Sequence, residues 1–175
     1  MTAISEGPEM SDTAADREKA RFTAEPGKRT MVLTREFDAP RQLVWDASTK
    51  AEHLVHWWGG SPGSNLAICE VDLRPGGAYR FVERAPDGHE FTFRGKYLEI
   101  DPPHRLVQTM LLDADGWRDR ILTTTLVLEE KNGRTQMTET SEFMTVEDRD
   151  AYVKAGAKAG ALRSLNRMAE YLATH

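Results

Sequence analysis

Few side chains in this sequence have the type and spacing to do chemistry. His53 and His56 stand three apart in a helix-like stretch, where two imidazoles can share one face. That spacing can seat a metal only with further ligands. No Cys pair, His-Glu-x-x-His run or Asp cluster lies nearby to supply them, so no metal site is expected. Cys69 is the sole cysteine, which excludes an internal disulfide, and it sits in a strand-like run between Ile68 and Glu70. A nucleophilic thiol needs a partner that lowers its pKa, and the sequence identifies none. There is no Gly-x-Ser-x-Gly elbow, Walker loop or dinucleotide-binding glycine pattern, and no cofactor is expected.

The aromatic residues say more. Trp57 and Trp58 are consecutive, and on a helix their side chains diverge by about 100°. One can pack in the core while the other borders a cavity mouth, offering apolar area and an N–H donor; the alternative is that both close one end of the fold. Period-two alternation puts Tyr79 and Phe81 on one strand face and Phe91, Phe93 and Tyr97 on another. An inner face built this way is aromatic and suits a planar or hydrophobic molecule, unless it is simply a filled core.

Glu139 is the one carboxylate that the same alternation carries inward. In Arg134–Phe143 the set Thr135, Met137, Glu139, Ser141, Phe143 opposes the wholly polar set Arg134, Gln136, Thr138, Thr140, Glu142. A carboxylate facing an apolar space is costly unless paired, hydrogen-bonded or protonated. Glu139 is therefore a candidate ligand acceptor or general acid/base, unless a bulge or an edge salt bridge turns it to solvent.

These residues need elements to position them. The C-terminal stretch Thr145–Ala173 reads as one long helix, with Thr145 and Asp148 forming a start signal. Ala155, Ala159, Leu162, Leu165, Ala169 and Leu172 recur at three and four to make an apolar stripe. Its first half carries almost no side-chain volume, as suits a cavity wall at Ala155, Ala159 and Leu162 or the close approach of another backbone. Met31–Phe37 reads as a strand. Asp38-Ala39-Pro40 opens a helix over Arg41–Ser48, with Leu43, Val44 and Ala47 toward a core. Thr49 and Glu52 form a capping box for a short second helix that ends at Trp57-Trp58-Gly59-Gly60.

Strands are expected at Leu66–Leu73, Ala78–Arg84, Glu90–Ile100, Leu106–Leu112, Arg120–Glu130 and Arg134–Phe143. Short Gly-, Pro- and Asn-rich connections between them imply an antiparallel meander. The long helix is the one element large enough to cover the buried face of that sheet.

At 175 residues the chain fits a single domain with a tail. Residues 1–28 are polar and carry few large apolar side chains, so a mobile tail is expected there, with the domain spanning 29–175. A body of that size buries roughly two-thirds of its unfolded surface. The net charge of −5 argues against a nucleic-acid binder and against docking on an anionic membrane. No apolar run can span a bilayer and no signal-peptide pattern opens the chain, so a cytoplasmic location is expected.

The order of elements resembles a known family, together with Phe37-Asp38-Ala39-Pro40, Val44-Trp45-Asp46-Ala47, Trp57-Trp58-Gly59, Pro75-Gly76-Gly77, Gly95–Glu99 and Pro102–Leu106. The chain is similar to the SRPBCC (START/Bet v-like) superfamily, in the branch of the C-terminal domain of the activator of the 90-kDa heat-shock chaperone's ATPase. The resemblance implies an α+β helix-grip fold, a curved antiparallel sheet around a long C-terminal helix, with an apolar cavity between them. It leaves three functions open. The first is binding of a hydrophobic or aromatic small molecule. The second is an enzyme of cyclase, dehydratase or hydrolase type using the same cavity. The third, a chaperone-partner module, is disfavoured because residues 1–28 are too short and polar to be a separate chaperone-engaging domain.

Overall fold

The computed structural model describes residues 20–175. Its strands are β1 (Ala20–Thr23), β2 (Thr30–Phe37), β3 (Asn65–Val71), β4 (Ala78–Arg84), β5 (Glu90–Asp101), β6 (Arg105–Leu112), β7 (Leu122–Lys131) and β8 (Arg134–Phe143). The helices are α1 (Arg41–Thr49) and α2 (Ala51–Leu54) after β2, and α3 (Val146–Lys154) and α4 (Ala157–Leu172) after β8. All strands join one antiparallel sheet in the order β1-β2-β8-β7-β6-β5-β4-β3. This is the α+β helix-grip architecture: a curved sheet with its inner face toward the C-terminal helix.

Three expectations change. The ordered chain begins before Arg29, because Ala20–Thr23 pairs with Val32–Arg35 of β2. Backbone ladder bonds and one anchor, Phe22 against the core, hold this strand despite its polar composition. The expected tail at residues 1–19 lies outside the described residues.

The C-terminal helix is two helices. Ala155 ends α3 and Gly156, at φ 100°, starts α4 in the left-handed region that glycine adopts without a Cβ clash. Thr145 caps α3 as expected, its hydroxyl accepting from the Asp148 N–H at 3.0 Å.

The caps of the early helices also differ. Thr49 donates its hydroxyl to the Trp45 carbonyl at 2.8 Å, so it makes no capping box. Asp38 caps nothing; the Arg41 N–H at the start of α1 donates instead to the Glu130 carboxylate at the end of β7, 2.9 Å away.

The main core lies between the inner face and the helices, with Val44, Trp45, Ala47, Leu54, Leu165, Met168 and Leu172 meeting Leu33, Phe37, Leu126, Leu128 and Met137. Trp45 is buried along with Val44 and Ala47. At the junction of α4 with the loop after α2, two backbones touch. A Cβ on Gly60 would lie 2.8 Å from the Gly160 Cα. Arg163 and Arg167, on the next turns of α4, donate to the Gly60 and Gly59 carbonyls, and Arg167 also to the Ser61 carbonyl at 2.6 Å.

Candidate functional site

Directly opposed residues in an antiparallel sheet share a face, so the strand register sorts the inward side chains into rows. One row runs Leu33, Glu139, Leu126, Leu106, Ile100 across β2, β8, β7, β6 and β5. The next runs Met31, Ser141, Thr124, Gln108, Tyr97. Toward the other edge lie Val71, Tyr79 and Gly95, then Cys69, Phe81 and Phe93, then Leu66, Glu83 and Phe91. Glu139 and the aromatic residues read from the alternation therefore do share the inner face.

Glu139 sits between two leucines in its row. Among the described residues no side chain or backbone group donates to its carboxylate. Desolvation by burial pushes its carboxyl up to about 7. Its charge opposes ionisation of the Tyr79 phenol, so the carboxylate acts on the same interior as that ring.

Tyr79 is already engaged. Its hydroxyl crosses β5 and donates to the Thr109 carbonyl of β6 at 2.6 Å, beside the Gln108 side chain. The crossing passes over Gly95, where a Cβ would fall within 2.9 Å of the Tyr79 ring and closer still to the Thr109 carbonyl. Burial holds the phenols of Tyr79 and Tyr97 well above their usual range, so both are neutral hydroxyls near neutral pH. The Cys69 thiol is pushed up to about 11 by burial, an unreactive state for a thiol.

The two tryptophans divide their tasks. Trp57 is buried and donates its indole N–H to the Ala47 carbonyl at 2.9 Å. Trp58 stands edge-on to Phe81 and Phe93, with ring centroids 5.0 and 5.1 Å away. Both also border an outer cleft of about 380 Å³ that reaches His56, Asn65, Arg167 and, at the end of the inner face, Leu66. Phe91 takes its place at the loop end of the inner face, with His89 edge-on at 4.7 Å.

His53 and His56 serve Tyr171 of α4. One imidazole nitrogen of His53 lies 2.6 Å from the phenol oxygen and the His56 ring stacks at 5.1 Å.

The helix wall is corrected. Ala155 and Ala159 are exposed; the inward residues of α4 are Ala161, Leu162, Leu165, Met168 and Leu172. The stripe therefore meets the core from Leu162 onward, and its first two positions, on either side of the break at Gly156, lie outside it. Leu162 alone of those three candidates packs inward. Ala159→Leu is accordingly expected to change stability by no more than about 0.5 kcal/mol and to leave ligand capacity unaltered, as thermal melts with and without ligand would show.

Glu83 escaped the sequence reading although it continues the Tyr79, Phe81 alternation. It is buried, and its carboxylate accepts from the Ser61 N–H at 2.7 Å and the Ser64 hydroxyl at 2.5 Å. It anchors the loop that α4 grips through Arg163 and Arg167. Thr124 and Gln108, also missed, are polar strand residues that only the register places beside Ser141 and Tyr97.

A sequence model described as activator of Hsp90 ATPase homolog 1-like protein matches residues 38–173. The chain belongs to this family, and through it to the SRPBCC superfamily. No curated protein matches the chain. Among solved structures, a Rhodobacter sphaeroides protein is 28% identical, with 90% of this chain and 99% of that one covered at a TM-score of 0.79. A Nitrosomonas europaea protein is also 28% identical, covering 83% and 94% at 0.73. An Arthrobacter aurescens protein shares the fold at 20% identity and a TM-score of 0.80, covering 89% and 92%. No helix among the described residues of this family member is long and apolar enough to cross a membrane.

Proposed function

We propose that the protein binds a hydrophobic or aromatic small molecule between the inner face of the sheet and α4. One observation carries this reading: inward-facing side chains there keep accessible surface instead of being sealed. Cys69, Val71, Phe93, Ile100, Gln108, Met110 and Glu139 are all partly buried although they share a face with the core. A filled core leaves few voids larger than a water molecule, and the surface these side chains retain supports room for a ligand beside that face. Phe93 and Trp58, with Phe81 and Tyr97 buried beside them, offer flat apolar walls, and Glu139 with Gln108 offers a small polar patch backed by the buried Ser141 and Thr124. That mixture, mostly apolar with a few convergent polar groups, is typical of small-molecule sites.

An enzymatic reading shares the same space. A carboxyl brought to about 7 can both give and take a proton near neutral pH, as general acid/base work requires.

A thermal-shift screen of apolar and aromatic compounds tests the proposal. A ligand that binds only the folded state raises stability by RT ln(1 + [L]/Kd), about 2.7 kcal/mol at a hundred-fold excess over Kd. A module that works solely through a protein partner gains nothing from any compound, and a flat screen would reject small-molecule binding. Product analysis of the compounds that bind then separates turnover from simple capture.

A further inference from the structure

We infer that the molecule held on the inner face carries a basic amine on a ring-sized apolar body, with Glu139 receiving the ammonium. This rests on the small-molecule reading above and specifies its ligand.

The inference starts from what surrounds Glu139. Its cross-strand neighbours are Leu33 on β2 and Leu126 on β7, and neither can donate a hydrogen bond. An ionised carboxylate only accepts, and offers about four lone-pair sites. Left alone in such surroundings it is costly, whereas a charge-assisted bond from an ammonium is among the stronger polar contacts available. Among the described residues no charged or titratable group pairs with it. Arg35, one pair along β2, donates to the Asn166 side-chain oxygen of α4 at 2.5 Å and lies over the Phe37 ring. Tyr79 on β4, with Tyr97 on β5 and Tyr152 on α3 acting on it, contributes neutral phenols. The Tyr79 hydroxyl is already committed to the Thr109 carbonyl.

The rest of the ligand follows from the rows. From the carboxylate the row leads over Leu126 and Leu106 to the partly buried Ile100, an apolar floor that suits an apolar body. Two residues along β8, roughly 7 Å away, Ser141 begins the row of Thr124, Gln108 and Tyr97. These side chains can meet a second, neutral polar group on the same molecule. An anionic ligand is disfavoured, since its charge would add to that of Glu139 in the same apolar surroundings.

Isothermal titration of the full chain at about pH 8 with three probes of one shape tests this: naphthylmethylamine, naphthylmethanol and naphthoic acid. The amine should bind roughly ten-fold more tightly than the alcohol, and the acid most weakly. In Glu139→Gln the amine should lose that advantage over the alcohol. A wild-type series needs no variant to fold: amine affinity should fall as pH is lowered from about 8 to about 5 and the carboxylate takes up its proton, and alcohol affinity should not. Equal affinity for amine and alcohol, a preference that survives in Glu139→Gln, or an amine affinity indifferent to pH would each overturn the inference. Alcohol binding without amine preference would sink the inference and leave the binding reading standing. Binding of none of the three would overturn the inference and count against that reading as well.

Discussion

Gly60→Ala should lower the melting temperature by several degrees, while Gly160→Ala should leave it unchanged or raise it. The two glycines face one another, so the contrast comes from geometry. A Cβ on Gly60 would sit 2.8 Å from the Gly160 Cα and 3.0 Å from its carbonyl, whereas a Cβ on Gly160 would stay 3.7 Å from Gly60. The first contact is backbone against backbone and cannot be relieved by a side-chain rotation. Separating loop from helix would also stretch the hydrogen bonds from Arg163 and Arg167 to the Gly60, Gly59 and Ser61 carbonyls. Overpacking of this kind costs about 1–3 kcal/mol, and each kcal/mol moves the melting temperature about 2–4 °C at this chain length. At Gly160 alanine meets ordinary van der Waals space and gains about 1 kcal/mol of helix propensity. Calorimetry of the two variants checks the pair; equal losses at both positions would show that this contact is not what makes them glycine.

Glu139→Gln should be more stable than the parent above neutral pH and indistinguishable from it in acid. Burial raises the carboxyl from its ordinary 4.5 to about 7. A group whose folded pKa is raised contributes stability that is present below the unfolded value and lost as pH climbs through the folded one. The parent therefore loses stability between about pH 4.5 and 7, and the uncharged glutamine does not. The gap between the two proteins should open across that window and then hold, at no more than about 3 kcal/mol. Denaturant melts at about pH 4 and pH 8 read it directly. A gap that is flat with pH would place the carboxylate in bulk water.

The inward path of Glu139 was legible because β8 contains no bulge, and its alternation holds from Thr135 to Phe143. On β5 the same rule holds only to Tyr97, after which the register shifts before Glu99 and Ile100 turns inward. Local pattern carries no sign of such a shift. The meander was legible for the same reason as β8: each turn is marked by its own Gly, Pro or Asn. What escaped was decided by distant partners. Ala20–Thr23 is a strand because β2 lies beside it, and the first turn of α1 is capped by Glu130, which is far away in sequence. The break in the last helix lies within Ala155–Ala161, where glycines between alanines fit a continuous helix or a turn equally well. Gly156 becomes a hinge once α3 packs beside β2 and β8 while α4 must follow the inner face. Ala155 and Ala159 then fall outside, and the small residues of that segment serve a backbone contact rather than a cavity wall.

The most direct test of a ligand space between sheet and helix is solution NMR of the full chain titrated with naphthylmethylamine. Shift changes should concentrate on Tyr97, Gln108, Thr124, Glu139 and Ser141, five residues on four strands that only the inner face brings together. Changes confined to the outer cleft at His56, Trp57 and Asn65, or no saturable change anywhere, would contradict it.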